Sequence, residues 1–270
     1  MKQLHDFHVH STYCDGSNTP REMAESAVEK GFDTLGFSGH GYTDFDTSFC
    51  MKVVRTDLYV EEVTRLKEEY AGKLNILCGI EKDYFSSHPT SRFDYVIGSV
   101  HYLYVGGKYV PLDMQVKTME ALLNEVYGGS FPALARDYYK QVADVVNKTE
   151  CDIIGHLDLI TKFKNRTALK RDDAYYEAAF SAVDALIPSG KIFEINLGAI
   201  ARGYRNSPYP DSKLLKYIHE RGGEIVITGD CHSKEHLGAN FEKGVEAAQN
   251  AGYTHQRILT KDGSKLIPLP

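Results

Sequence analysis

Short apolar runs rich in β-branched residues alternate along this chain with amphipathic stretches of helical period, and that alternation narrows the fold most. The strand-like runs are Leu4–His10, Thr34–Ser38, Leu74–Ile80, Tyr95–Val100, Cys151–Gly155, Ile192–Asn196 and Glu224–Thr228. Helical segments are expected from Thr19 onward and at about Leu58–Tyr70, Met119–Val126, Ala133–Val146, Asp173–Leu186, Ser212–Arg221 and Phe241–Ala251. Thr19-Pro20-Arg21-Glu22 combines a capping box with proline at the first helical position, and Gly31 offers a stop. Strands that are apolar nearly throughout are buried on both faces, so the series implies a parallel sheet covered by helices, either open or closed. The tail Arg257–Leu269 adds one more extended segment. No repeat, linker or composition break divides the series, so residues 1–270 are expected to form a single α/β domain.

Composition mainly excludes. With 42% hydrophobic and 25% charged residues, 23 Gly and 9 Pro, the chain is neither collagen-like, disordered nor of low complexity. A net charge of −6 without long charged blocks argues against a dedicated nucleic-acid binder and leaves a small-molecule substrate as the default. The start MKQLHDFHVH has no apolar core of a signal peptide, and no apolar run reaches membrane-spanning length, so a cytoplasmic address without a membrane partner is expected. Five cysteines without CxxC spacing suit reduced thiols better than a disulfide framework.

Histidine is the informative residue, with 11 in the chain. His8 and His10 share one side of the first strand, and Asp15 follows. An HxH pair alone carries little weight, but almost every other strand also ends in a ligand-type residue: His40, Glu81, His101, His156, and then Asp230 with His232. Parallel strands carry active sites at their C-terminal ends. Six histidines and three carboxylates converging there point to a metal centre. Glycines at 39, 79, 98, 155 and 229 precede these positions and suit sharp turns or close backbone approach. Mixed imidazole and carboxylate ligation favours zinc, iron or manganese, and nine ligands suit two to three divalent ions.

The segments DFHVHS, SGH, GIEKDY, DYVIGSVHYL, GHLDLITKF and ITGDCHS, spread from residue 6 to 233, resemble the polymerase-and-histidinol-phosphatase (PHP) family of metal-dependent phosphoesterases, particularly its histidinol-phosphate phosphatase branch. The resemblance implies a distorted (β/α)7 TIM-like barrel and a trinuclear centre. It places one metal on His8, His10, Glu81 and Asp230, a second on Glu81, His101 and His156, and a third on Asp15, His40 and His232. Glu81, which bridges two ions in this assignment, is a candidate catalytic residue together with Asp230 and His232. The implied reaction is hydrolysis of L-histidinol phosphate in histidine biosynthesis, by a metal-bound hydroxide attacking phosphorus. A phosphodiesterase or nucleotide phosphatase is the alternative within the family; the complete ligand set argues against a non-catalytic accessory domain.

Three divalent ions against three ligand carboxylates leave a positive pocket that attracts a phosphate dianion despite the acidic chain. Outside the metals, Arg202, Arg205 and Lys162 are candidate substrate-binding residues, the arginines in the loop after Glu194-Ile195-Asn196. Glu194 and Asn196 are positioned to orient histidines. His5, His88, His219, His236 and His255 are assigned no metal, and Cys14 and Cys231 are read as packing residues. Nothing in the sequence sets the oligomeric state.

Overall fold

The computed structural model describes residues 4–164, 167 and 169–270. In chain order its first half runs β1 (Leu4–Val9), α1 (Pro20–Glu29), β2 (Phe32–Phe37), α2 (Val53–Glu69), β3 (Asn75–Asp83), β4 (Tyr95–Ser99), β5 (Tyr102–Val105), β6 (Lys108–Pro111), α3 (Val116–Ala121) and α4 (Phe131–Thr149). The second half runs β7 (Ile153–Ile154), α5 (Asp173–Leu186), β8 (Ile192–Asn196), α6 (Gly198–Ala201), α7 (Ser212–Glu220), β9 (Ile225–Thr228), α8 (Phe241–Ala251), β10 (His255–Thr260) and β11 (Gly263–Pro268).

Strands β1, β2, β3, β4, β7, β8 and β9 pair in that order, every pair parallel. Just beyond the last strand the chain returns to the first. His10 N–H donates to the Cys231 carbonyl at 2.8 Å, and Cys231 N–H donates to the His8 carbonyl at 2.9 Å. The result is a nearly closed seven-stranded α/β barrel. Phe7, Leu77, Tyr95, Ile97, Ile153, Ile192 and Val226 form a core with Ile258, Leu259 and Ile267 of the β10–β11 hairpin, which covers the end where the strands begin. Helices α1 and α2 lie over the first strands, burying Met23, Ala24, Ala27, Tyr59, Val63 and Leu66 against Leu35, Phe37 and Ile76. The largest cluster packs α4, α5, α7 and α8 over the remaining strands.

Where expected and observed elements differ, local chemistry explains most of it. The capping box at Thr19 is formed: its side chain accepts from Glu22 N–H while Glu22 accepts from Thr19 N–H. Helix α2 starts before the expected Leu58 because its first turn carries the exposed residues Val53 and Val54, which have no core-facing period. The expected helix Met119–Val126 is α3 ending in a π-helical turn at Leu122–Val126. The β5–β6 hairpin was not expected, yet its turn is the pair Gly106-Gly107, both at positive φ, between aromatic and β-branched runs. The single extended tail is instead the hairpin β10–β11, which reverses at Lys261-Asp262 and resumes at Gly263 with φ of 132°.

Candidate metal centre

All nine ligand-type residues meet at the end of the barrel where the strands finish. His8 lies in β1 and Glu81 in β3, while His10, His40, His101, His156, Asp230 and His232 sit just past the strand ends. Asp15 reaches in from the loop between β1 and α1. Glu81 is the hub. Its Oε1 lies 3.0 Å from His156 Nε2 and 3.3 Å from His101 Nε2, and its Oε2 lies 3.1 Å from His8 Nε2, 3.0 Å from His40 Nδ1 and 3.5 Å from His10 Nε2. Asp230 Oδ1 is 3.5 Å from His10 Nε2 and from His232 Nδ1. Asp15 approaches His10 Nδ1 at 3.6 Å, His40 Nε2 at 3.7 Å and His232 Nε2 at 3.3 Å.

Three sets of side-chain atoms lie close enough to share an ion: His10, Asp15, His40 and His232; His8, His10 and Asp230; and His40, Glu81 and His101. This grouping shares His10 and His40 between neighbouring sets, whereas the resemblance assigned each to one metal. His156 stands outside the three sets but is still within 3.0 Å of Glu81.

The residues fit cations. His8 Nε2, His10 Nε2 and Glu81 Oε2 are buried with no hydrogen-bond partner among the described residues, although they face one another. Orphaned buried polar atoms cost about 1–3 kcal/mol each, and a cation among them supplies the missing partner. Burial works against charge at Glu81 and Asp230, yet surrounding His8, His40 and His101 in one case, and Arg202 and His8 in the other, hold both well below the usual carboxylate range. Burial together with His232 and His40 lowers His10 to about 3, leaving its imidazole neutral and ready to ligate. Burial pushes Cys14 and Cys231 up to about 12, so both thiols remain protonated, as packing residues would.

The imidazoles are held from behind. His8 Nδ1 contacts Glu194 Oε1 at 2.5 Å, which directs Nε2 toward Glu81. Glu194 also accepts from Thr228 Oγ1, from the His156 backbone N–H and from Asn196 Nδ2. His101 is oriented in the same way by Asp83, at 3.2 Å from Nδ1. Asp83 was not singled out in the sequence, although it stands two residues past Glu81 on the same side of β3. Such partners set ligand orientation and typically carry 10- to 100-fold in metal affinity or activity. Glu194→Gln is therefore expected to lower metal affinity and kcat/KM by about 10- to 100-fold, read by metal titration and steady-state kinetics; unchanged affinity would leave His8 oriented by packing alone.

The backbone accommodates these contacts in two ways. Asp230 adopts the left-handed region at φ of 46°, uncommon outside glycine and tolerated by aspartate. A Cβ at Gly198 would lie 2.5 Å from Asp230 Oδ2, and one at Gly155 would lie 2.4 Å from Ser99 Oγ, the hydroxyl that donates to Glu81 Oε1.

Above the cluster opens a cavity of about 260 Å³. Seven of the nine ligand-type residues line it, and His8 and His10 lie beneath with no exposure. Arg202 and Lys162 line it as well. Arg202 Nη2 donates to Asp230 Oδ2 at 3.0 Å, and Nη1 lies 3.1 Å from His232 Nδ1. Arg205, expected to bind substrate, does not line the cavity. It is 2% exposed, donates to Thr161 Oγ1 and the Pro208 carbonyl, faces Asp158 at 3.5 Å and stacks over Tyr209. The chain turns at Gly203, φ 72°, and the two arginines part company there. His88, read as a loop residue, is also buried; its Nδ1 accepts from Tyr42 N–H.

A family model described as PHP domain matches residues 6–197. A Deinococcus radiodurans protein named probable histidinol-phosphatase is 31% identical, covering 93% of this chain and 95% of that protein. The histidinol-phosphatase of Bacillus subtilis is 25% identical over 90% of this chain and 99% of its own. Among solved structures, histidinol phosphate phosphatase from Lactococcus lactis, complexed with zinc, L-histidinol and phosphate, superposes with a TM-score of 0.74 at 23% identity, covering 98% of this chain and 100% of that one.

Proposed function

The chain belongs to the PHP domain family, and from that membership we infer that it is a metal-dependent phosphomonoesterase hydrolysing L-histidinol phosphate to L-histidinol and inorganic phosphate. The observation that carries the reading is the cluster of six histidines and three carboxylates on the floor of a cavity that also presents Arg202 and Lys162. His8, His10, Asp15, His40, Glu81, His101, His156, Asp230 and His232 are proposed to hold two to three divalent ions, with zinc, iron or manganese the best match to mixed nitrogen and oxygen donors. When bound, such ions supply Lewis acidity and an activated water near neutral pH. A place in histidine biosynthesis follows from the proposed substrate.

The chain's own residues account for binding and orientation. Arg202 carries a planar donor fork in the cavity, able to grip two phosphate oxygens at once, and Lys162 adds a compact charge to its lining. Asp230, the carboxylate that Arg202 contacts, aligns the guanidinium over the cluster. Phe49, Tyr102, Met114 and Leu159 form an apolar wall suited to the substrate's carbon skeleton and imidazole ring. Among the described residues no helix is long and apolar enough to cross a membrane.

The test is a phosphatase assay on metal-loaded protein with L-histidinol phosphate beside other small phosphomonoesters and dinucleotides. Preferred release of phosphate from L-histidinol phosphate supports the reading; faster cleavage of a dinucleotide would replace it with the phosphodiesterase alternative. Arg202→Ala should lower kcat/KM by about 10- to 100-fold, the range of a charge-assisted contact. Arg202→Lys should recover only part of it, because a point charge cannot make the two-pronged contact. Elemental analysis of both variants separates loss of the contact from loss of metal.

A further inference from the structure

We propose that Asp113 is the specificity residue for the substrate's ammonium group, acting with Lys162 as a paired charge that recognises a phosphomonoester bearing a cationic amine on the neighbouring carbon. This rests on the substrate reading above and adds to it a residue and a selection rule.

Four carboxylates line the cavity: Asp15, Glu81, Asp230 and Asp113. The first three lie among the histidines. Asp113 stands apart, on the connection between β6 and α3, beside the apolar wall rather than on the cluster floor. Its ion-pair partner among the described residues is Lys162, with Nζ 3.0 Å from Oδ2. Lys162 comes from the segment after β7, and its Nζ lies over the Tyr204 ring at 4.9 Å. The lysine side chain is 9% exposed and the aspartate side chain 25%, so the carboxylate is the more open half of the pair. Only Oδ2 is engaged among the described residues, leaving Oδ1 for a ligand.

Once Lys162 engages the phosphate, the Asp113 carboxylate beside it is a liability, because it repels the dianion. That cost is offset when the substrate brings its own positive charge. In L-histidinol phosphate the ammonium-bearing carbon is separated from the ester oxygen by a single methylene, so the molecule presents an anion and a cation side by side. The Lys162–Asp113 pair presents a cation and an anion side by side. Opposed in antiparallel sense, the two pairs satisfy each other, with Lys162 on the phosphate and Asp113 on the ammonium. The imidazole then lies toward Phe49, Tyr102 and Met114. A phosphomonoester without the amine makes Asp113 share its one cation with the phosphate and leaves Oδ1 facing the dianion, and this repulsion is the discriminating element.

The experiment pairs Asp113→Asn with removal of the substrate amine. Metal-loaded wild-type and variant proteins are assayed on L-histidinol phosphate and on its deamino analogue, 3-(imidazol-4-yl)propyl phosphate. Asp113→Asn is expected to lower kcat/KM for L-histidinol phosphate by about 10- to 100-fold, the range of a hydrogen bond to a charged group. For the analogue it should leave kcat/KM unchanged or raise it. Inhibition provides a second readout: L-histidinol should bind the variant more weakly by a similar factor, while inorganic phosphate binds as before. Equal losses on both substrates would mean that Asp113 only holds Lys162 in place and would overturn the proposal, as would no loss on either. A wild-type protein that cleaves other phosphomonoesters but not L-histidinol phosphate would overturn the substrate reading, and this inference with it.

Discussion

Glu81→Gln is expected to reduce turnover by about 10³-fold or more and to remove at least one equivalent of bound metal. Glu81 is the side chain whose two oxygens face different histidine sets: His101 and His156 on Oε1, and His8, His10 and His40 on Oε2. A carboxamide of the same shape keeps the packing but replaces one acceptor oxygen with a donor and removes the negative charge. Neither half of the cluster then retains its shared anion. Lewis-acid stabilisation by a bound ion is worth several kcal/mol of barrier, and each 1.36 kcal/mol is a factor of ten in rate. Elemental analysis alongside steady-state kinetics checks the expectation. A variant with wild-type metal content and normal turnover would remove Glu81 from the centre altogether.

Stripping the metal with a chelator is expected to abolish activity and to lower Tm by roughly 10 °C. An ion that binds only the folded chain stabilises it by about 4 kcal/mol when free ion exceeds Kd a thousandfold. In domains near this size each kcal/mol shifts Tm by roughly 2–4 °C. The loss also has a definite pH dependence. Burial alone would lower the pKa values of His8, His40 and His101, but nearby carboxylates outweigh it and raise all three. For His8 these are Glu194, Glu81 and Asp230; for His40, Glu81 and Asp15; for His101, Glu81 and Asp83. Ions must therefore displace protons from these rings, so affinity falls as pH falls and binding releases protons. Zinc titration into stripped protein at pH 6 and pH 8 should show tighter binding at the higher pH. Equal affinity at both would mean that these imidazoles are not ligands. Differential scanning of metal-loaded and stripped protein reads the Tm change; coincident melts would show that the cluster is stable without cations.

Much of this molecule is legible in its sequence, because strand alternation and apolar runs are local properties. The seven barrel strands are each anticipated within a few residues, and the ligand-type residues are legible because they stand in the last residues of a strand or in the segment just after it. Asp83 lies one alternation past Glu81, yet nothing local distinguishes an orienting carboxylate from a surface one. The β5–β6 hairpin has its signal in Gly106-Gly107, but its strands of four residues each are too short for a clear alternation.

Other features depended on contacts between segments far apart in the chain. Arg202 and Arg205 share one loop and one chemistry, yet one faces the cavity and the other is sealed against Asp158 and Tyr209. Which arginine turns inward is set by the bend at Gly203 and by a partner more than forty residues away, so periodicity carries no trace of it. Glu194 could be placed near the site from position alone, but its hold on His8, 186 residues away, exists only once the barrel closes β1 against β9. The pairing of Asp113 with Lys162 likewise joins the loop before α3 to the segment after β7. The sequence by itself determined which residue types stand at the strand ends, and so the kind of chemistry available, because side-chain direction along a strand is a matter of counting by two. Which of those side chains come close enough to share an ion, which are held from behind and which charge is left facing the cavity was decided by the tertiary structure, because closing the barrel is what sets distances between strands that the chain itself leaves independent.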